Sequence, residues 1–132
     1  MMYLSLYKND FVYENYINIV KSEKYRKELT RFRLSSHSLY IETGRYENIG
    51  RENRICTMCS QNVVESEFHF LLCCTAYSAL RTKYNIKCNW PSHSLFKSVM
   101  SNRNERYVNN LAKYVYFAMK LRKDKLQELA AS

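Results

Sequence analysis

The amino-acid sequence predicts a mainly α-helical fold in one small domain that spans residues 1–132. Only 2 glycines and 1 proline occur in the chain, which leaves few positions for the tight turns of a many-stranded sheet. A hydrophobic fraction of 46%, with 12 Tyr and 6 Phe, is sufficient for a folded core. We expect helices and a loop in residues 1–50, a cysteine-rich segment in 51–90, and further helices in 91–132.

Two helices are predicted in the N-terminal part. Asp10 is placed to cap a helix through Val20, and Ser22 to cap a second helix in the breaker-free stretch 21–37. The second helix has an apolar stripe formed by Tyr25, Leu29 and Phe32. Beside it lies a basic stripe formed by Lys24, Lys27 and Arg31. The basic stripe is either a solvated surface or a face that contacts phosphates.

The middle and C-terminal parts contain one loop and three predicted helices. The stretch GRYENIGRENR, residues 44–54, holds both glycines and reads as a loop, and residues 65–84 read as a helix. Ser92 is a candidate cap for a helix through Met100. Asn102 and Glu105 resemble a capping box before a long amphipathic helix. Its apolar positions are Val108, Leu111, Ala112, Val115, Ala118 and Met119.

Four of the five cysteines and one histidine fall within residues 54–74. Cys56, Cys59, His69 and Cys74 form the pattern C-x2-C-x9-H-x4-C, in which the first pair has the spacing of a metal-binding knuckle. Three sulfurs and one imidazole make a closed tetrahedral set suited to structural Zn²⁺, with no open position for catalysis. The sequence therefore predicts a small helical domain with a zinc knuckle between helices. The alternative is that these residues are ordinary core thiols.

The choice between Cys73 and Cys74 as the fourth ligand depends on the backbone. On a regular α-helix Cys73 lies about 40° from His69, and Cys74 about 140° away, so ideal geometry favours Cys73. If the backbone deviates there, or the metal sits at the end of a helix, Cys74 comes within reach. Cys73 is then a small buried hydrophobic residue.

Charge and localisation signals point to an intracellular polyanion-binding protein. The formal net charge of +9 favours RNA or DNA as a partner, bound with little sequence specificity. The N-terminus does not read as a signal peptide, and no apolar run is long enough to span a membrane. We therefore expect a nuclear or cytoplasmic protein, in which clustered thiols stay reduced and bind metal more often than they pair.

The region from Leu29 to Arg122 resembles the C-terminal zinc-binding region of reverse transcriptases from non-LTR (LINE-like) retrotransposons. The resemblance is carried by LTRFRLSSHSLYIETGR (29–45), by RICTMC (54–59), by VESE (64–67), by HFLLCC (69–74) with the following YSALR, and by NLAKYVYFAMKLR (110–122). It implies that Cys74 is the fourth ligand. The chain departs from the family at Thr75, where a proline commonly follows the last cysteine.

The same resemblance implies a function without catalysis. The polymerase of this family needs a paired-aspartate YxDD-type motif, which the sequence lacks, so we do not expect an enzyme on its own. A polymerase core domain is a possible partner. The leading hypothesis is a zinc-binding, nucleic-acid-binding module, and the alternative is a structural or protein-interaction module. The candidate nucleic-acid contacts are Lys24, Lys27, Arg31, Arg33, Arg45, Arg51 and Arg54, with Tyr46 as a stacking platform for bases.

Overall fold

The computed structural model describes residues 19–34, 37–87 and 91–131, and it confirms a mainly helical chain. These residues form five α-helices, namely α1 Glu23–Arg33, α2 Tyr40–Tyr46, α3 Ser78–Lys83, α4 His93–Ser101 and α5 Glu105–Ala131. Tighter or wider turns connect them: the 3₁₀ turns Arg51–Asn53 and Thr75–Tyr77, and a π turn at His69–Cys73. In the described ranges β pairing is limited to one antiparallel bridge between Ile55 and Val64. Except for its last two residues, the helix predicted for 10–20 lies outside the described residues.

The longest helix, α5, provides one side of the core. Its 27 residues extend about 40 Å. The predicted apolar stripe of α5 is buried, apart from Met119, which is half-buried. Helix α1 packs along α5, with Leu29 and Phe32 buried and the ring of Tyr25 set edge-on to Tyr116 at 5.2 Å. The burial of these positions confirms both predicted apolar stripes, with Tyr25 and Met119 half-buried.

Helix caps agree only partly with the sequence pattern. Ser92 caps α4 as predicted, because its Oγ accepts a hydrogen bond from the Leu95 N–H at 3.1 Å. Ser22 precedes α1 but makes no capping bond with its side chain. The predicted cap of α5 at Asn102 is wrong by two residues, since Asn104 Oδ1 accepts the Tyr107 N–H at 3.1 Å.

Two predicted boundaries in the middle of the chain are wrong. Gly44 does not begin a loop, because α2 continues to Tyr46 and buries Gly44 against the side chain of Arg54. The predicted continuous helix over 65–84 is interrupted at Cys74, which has extended backbone with ψ of 123°. This break separates the π turn from α3 and lies directly at the cysteine-rich segment.

Candidate metal centre

Cys56 and Cys59 lie on a loop that the single β-bridge closes. The Cys56 N–H donates to the Val63 carbonyl at 2.8 Å, at the point where the loop returns. Asn62 reverses the chain with φ of 58°, in the left-handed region that asparagine tolerates better than most residues. The loop is therefore a knuckle that holds two thiols a few residues apart, as the C-x2-C spacing predicts.

His69 and Cys74 are brought together by the π turn. The Cys74 N–H donates to the His69 carbonyl at 2.7 Å, a bond to the fifth residue back instead of the fourth. The wider turn brings the residue five positions on to the same side of the backbone as His69, and it is the Cys74 sulfur that joins the cluster. Ser66 supports its start, since Ser66 Oγ accepts the His69 N–H at 3.2 Å. The preference for Cys73 on a regular helix is therefore overturned by the backbone deviation that makes Cys74 reachable.

The four donor atoms converge on one small volume. The sulfurs of Cys56, Cys59 and Cys74 and a ring nitrogen of His69 all lie within 4.8 Å of one another. Cys56 Sγ is 3.9 Å from Cys74 Sγ, and Cys59 Sγ is 3.4 Å from His69 Nε2. Metal–ligand distances typical of zinc imply S···S near about 3.8 Å and S···N near about 3.6 Å in a regular tetrahedron, so these two separations match a tetrahedral site. The cluster can therefore hold one metal ion.

Electrostatics at the cluster favour a cation. The hydrogen bond from Cys74 lowers the pKa of the Cys56 thiol to about 4, and the same contact together with burial raises the pKa of Cys74. The two sulfurs are 3.9 Å apart, close enough to share one proton. A metal ion bound here would replace that proton and stabilise both thiolates. Cys56, His69 and Cys74 are buried, and Cys59 is half-buried.

Arg81 is a buried residue next to the cluster that the sequence analysis missed. Its guanidinium donates to the carbonyls of Phe70 and Leu71, each at 3.4 Å, and also to the carbonyl of Cys74. A further bond reaches the hydroxyl of Tyr114 at 3.1 Å. Nothing in the sequence pattern separates Arg81 from a solvated helical arginine. Its role follows only from the contacts.

The acidic segment VESE, next to the Cys₃His cluster, bonds to side chains and backbone of the surrounding helices. Glu65 is 1% exposed and accepts two hydrogen bonds from Arg122, at 2.7 and 2.8 Å. It also accepts the Tyr40 N–H at 2.6 Å and so caps α2. Glu67 Oε2 lies 2.7 Å from His37 Nε2. Acidic side chains within an apolar run were the available signal for buried ion pairs, but their partners are distant in the sequence.

The candidate nucleic-acid residues on α1 differ in their contacts. Lys24 and Lys27 are exposed, and the Lys24 ammonium lies 5.2 Å from the ring centroid of Tyr25. Arg31 forms an exposed ion pair with Glu28 at 3.1 Å. Arg33 is half-buried and donates to the Met100 carbonyl, which connects α1 to α4. The contacts leave Lys24 and Lys27 more available to an external phosphate than Arg33.

The candidate residues near the end of α2 form a separate surface. Tyr46 is 78% exposed, and the Arg45 guanidinium lies 5.5 Å from its ring centroid. Arg45 also pairs with Glu42 at 2.9 Å, and Arg51 is exposed on the following 3₁₀ turn. Arg54 is half-buried and donates to two carbonyls in this part of the chain, both at 2.9 Å. The Arg54 side chain therefore stabilises α2 and the loop that follows it through hydrogen bonds to their main chain.

Fold and site together define a mainly helical domain with a Cys₃His cluster that can hold a metal ion between helices. Comparisons with protein-family models, with curated proteins and with solved structures find no match to this chain. Among the helices in the described ranges, none combines the length and the apolar composition that a membrane crossing requires.

Proposed function

We propose that the chain is a zinc-binding module in which one Zn²⁺, held by Cys56, Cys59, His69 and Cys74, has a structural role. The observation that carries this proposal is the convergence of four donor atoms within 4.8 Å, two pairs of which have the separations of a tetrahedral zinc site. Three thiolates and one imidazole are a soft donor set that suits zinc better than the hard cations Mg²⁺ or Ca²⁺. All four positions are taken by protein, so no coordination site is left for a substrate or an activated water.

The zinc proposal also fits the way in which the site is built. The knuckle and the π turn are short, irregular segments, and an ion that joins them would add stability to both. Reduced thiols of this kind persist in the nucleus or cytoplasm, which supports an intracellular location.

Native mass spectrometry before and after chelation tests the zinc site. We expect one Zn²⁺ per chain, lost on chelation and recovered on adding the metal. Cys74→Ser should lower the zinc affinity by more than the roughly 10- to 100-fold that losing a supporting hydrogen bond costs. Cys73→Ser is the matched control and should bind zinc like the parent. Equal loss in both variants, or no zinc in the parent, would contradict the assignment.

We further propose that the module binds RNA or single-stranded DNA with little sequence preference. The specific observation is the surface around Arg45, Tyr46 and Arg51: the Tyr46 ring is 78% exposed and lies beside the Arg45 guanidinium, and Arg51 is exposed on the following 3₁₀ turn. An exposed ring can stack on any base, and the cations can contact the flanking phosphates. The net charge of +9 adds long-range attraction.

A salt titration with a labelled single-stranded oligonucleotide tests nucleic-acid binding. If about six phosphates are contacted, affinity should fall on the order of a thousandfold between roughly 50 and 200 mM salt. Tyr46→Ala with Arg51→Glu removes the α2 surface, and charge reversal at Lys24, Lys27 and Arg31 removes the α1 surface. Neither variant should lose zinc. The surface whose variant weakens binding is the contact face, and a flat salt response with unchanged variants would reject both.

The alternative proposal is a protein-interaction module, for example one that docks on a polymerase core as the resemblance to non-LTR reverse transcriptases suggests. It is favoured by two exposed leucines toward the end of α5, Leu121 at 41% and Leu129 at 53% exposure. Most of the apolar stripe of α5 is buried against α1, however, which leaves little further apolar surface on that helix. This alternative would be supported if binding to a polymerase core does not change with salt but is lost in the double variant Leu121→Asp/Leu129→Asp.

A further inference from the structure

The segment HFLLCC contains two adjacent cysteines, each of which meets His69 in a different backbone register. With α-helical bonding to the fourth residue back, Cys73 shares a side of the helix with His69. With π bonding to the fifth residue back, Cys74 also comes round to the side of His69. In the structure the register is π, and Cys74 joins the cluster while Cys73 lines a neighbouring cleft of about 670 Å³ together with Leu72 and Arg81.

The carbonyl of Phe70 distinguishes the two registers. In an α-helix this carbonyl would accept the Cys74 N–H, but here that N–H donates to His69 instead. The Phe70 carbonyl is satisfied by side chains, namely the Tyr114 hydroxyl at 2.6 Å and the Arg81 guanidinium at 3.4 Å. Arg81 also donates to the carbonyl of Cys74, at the end of the π turn.

Burial makes these side-chain bonds decisive. Phe70 and Tyr114 are fully buried and Arg81 is 5% exposed, so water cannot readily replace a lost donor at the Phe70 carbonyl. A buried carbonyl without a partner is costly and rare. Without the donors of Arg81 and Tyr114, the Phe70 carbonyl can be satisfied by accepting the Cys74 N–H, and this bond restores the α register.

We propose that Arg81 and Tyr114 form a register lock that selects Cys74 over Cys73 as the fourth metal ligand. The inference rests on the proposed metal site and goes beyond it, because it assigns ligand choice to two residues that bind no metal. Arg81 and Tyr114 act as positioning residues through the backbone of the π turn. Tyr114 lies 44 residues from Phe70 in the sequence, so the lock also couples ligand choice to the docking of α5.

Titration with Co²⁺ tests the lock, because the intensity of thiolate-to-cobalt charge-transfer absorption reports how many thiolates bind. Parent and Cys73→Ser should show three thiolates, and Cys74→Ser about two thirds of that intensity. Adding both Arg81→Met and Tyr114→Phe to Cys74→Ser should restore the third thiolate, since the Phe70 carbonyl then has no side-chain donor and the α register turns Cys73 toward the ion. Either change alone in the same background should restore it in part, because the other donor remains. Arg106→Met, at an exposed arginine of α5, is the matched control and should restore nothing.

Each outcome decides between the lock and its absence. Full intensity in Cys74→Ser alone would mean that Cys73 reaches the ion unaided, which overturns the lock. Unchanged low intensity in the variant that lacks Cys74 and both donors, with far-ultraviolet circular dichroism showing a folded chain, overturns it as well. If that variant does not fold, Cys74→Ser/Tyr114→Phe decides by itself, because it removes the shorter bond to the Phe70 carbonyl. A parent that binds no Co²⁺ removes the metal proposal and the lock together, a result distinct from the others.

Discussion

The buried pair between Glu65 and Arg122 makes a sharp prediction about stability. Glu65→Gln keeps the size of the side chain and removes its charge. One amide oxygen can still accept from the Tyr40 N–H and from Arg122 Nη2. The other position becomes an NH₂ group that faces Arg122 Nε, where a carboxylate oxygen now accepts at 2.7 Å. Two donors then meet in a buried site, and the guanidinium is left without its counterion.

The expected magnitude follows from burial. Glu65 is 1% exposed and Arg122 is 8% exposed, so solvent screens the uncompensated cation weakly. Removing one partner of such a pair typically costs about 3–5 kcal/mol, a large share of the roughly 5–15 kcal/mol that stabilises a small domain. The exposed pair between Glu28 and Arg31 is the matched control, and Glu28→Gln should change stability by less than about 1 kcal/mol.

Urea unfolding at saturating zinc, followed by far-ultraviolet circular dichroism, measures both effects. The double variant Glu65→Gln/Arg122→Met removes the buried charge, keeps the cap on α2, and should recover part of the loss. The reasoning fails if Glu65→Gln costs no more than Glu28→Gln. It also fails if Arg122→Met adds its own full penalty to that of Glu65→Gln, because the two residues would then be energetically independent.

Three further outcomes are expected. Chelation should lower hydrogen-exchange protection in the knuckle and the π turn more than in α5, whose apolar stripe packs on α1, and uniform loss would contradict this. Gly44→Ala should lower the thermal midpoint, because its Cβ would lie 2.7 Å from Arg54 Cγ, whereas Gly50→Ala meets only the carboxylate end of an exposed side chain and should change little. Ser92→Ala should cost about 1 kcal/mol by losing a cap, while Ser22→Ala, whose side chain makes no capping bond, should cost clearly less, and equal effects would refute the assignment.

Local pattern was sufficient to predict the helical class and much of the site. The apolar spacing on α1 and α5 repeats every three to four residues, and burial of one stripe depends mainly on that repeat. The spacing of Cys56, Cys59 and His69 likewise predicts a common ligand set, because a two-residue knuckle can aim both thiols at one ion. These features arise from neighbours in the sequence.

Net charge could not show which cations are available to a partner. Arg33 and Arg54 looked like Lys27 in the sequence, but the structure uses both arginines to bind main-chain carbonyls. A guanidinium has five donors on a long side chain and can reach such carbonyls wherever the fold brings them close. Only the tertiary arrangement distinguishes an arginine that binds main-chain carbonyls from a cation that is exposed to a partner.

The fourth ligand shows most directly what the sequence determined and what only the tertiary structure decided. The sequence supplied two adjacent thiols, Cys73 and Cys74, and ideal helical geometry chose the wrong one of them for this backbone. The Phe70 carbonyl that the π turn leaves without a backbone donor is bound by Arg81 and by Tyr114, which is 44 residues away from it. A one-residue change in helical register exchanges only a few backbone hydrogen bonds. A side chain that is distant in the sequence but buried beside the released carbonyl can therefore decide it.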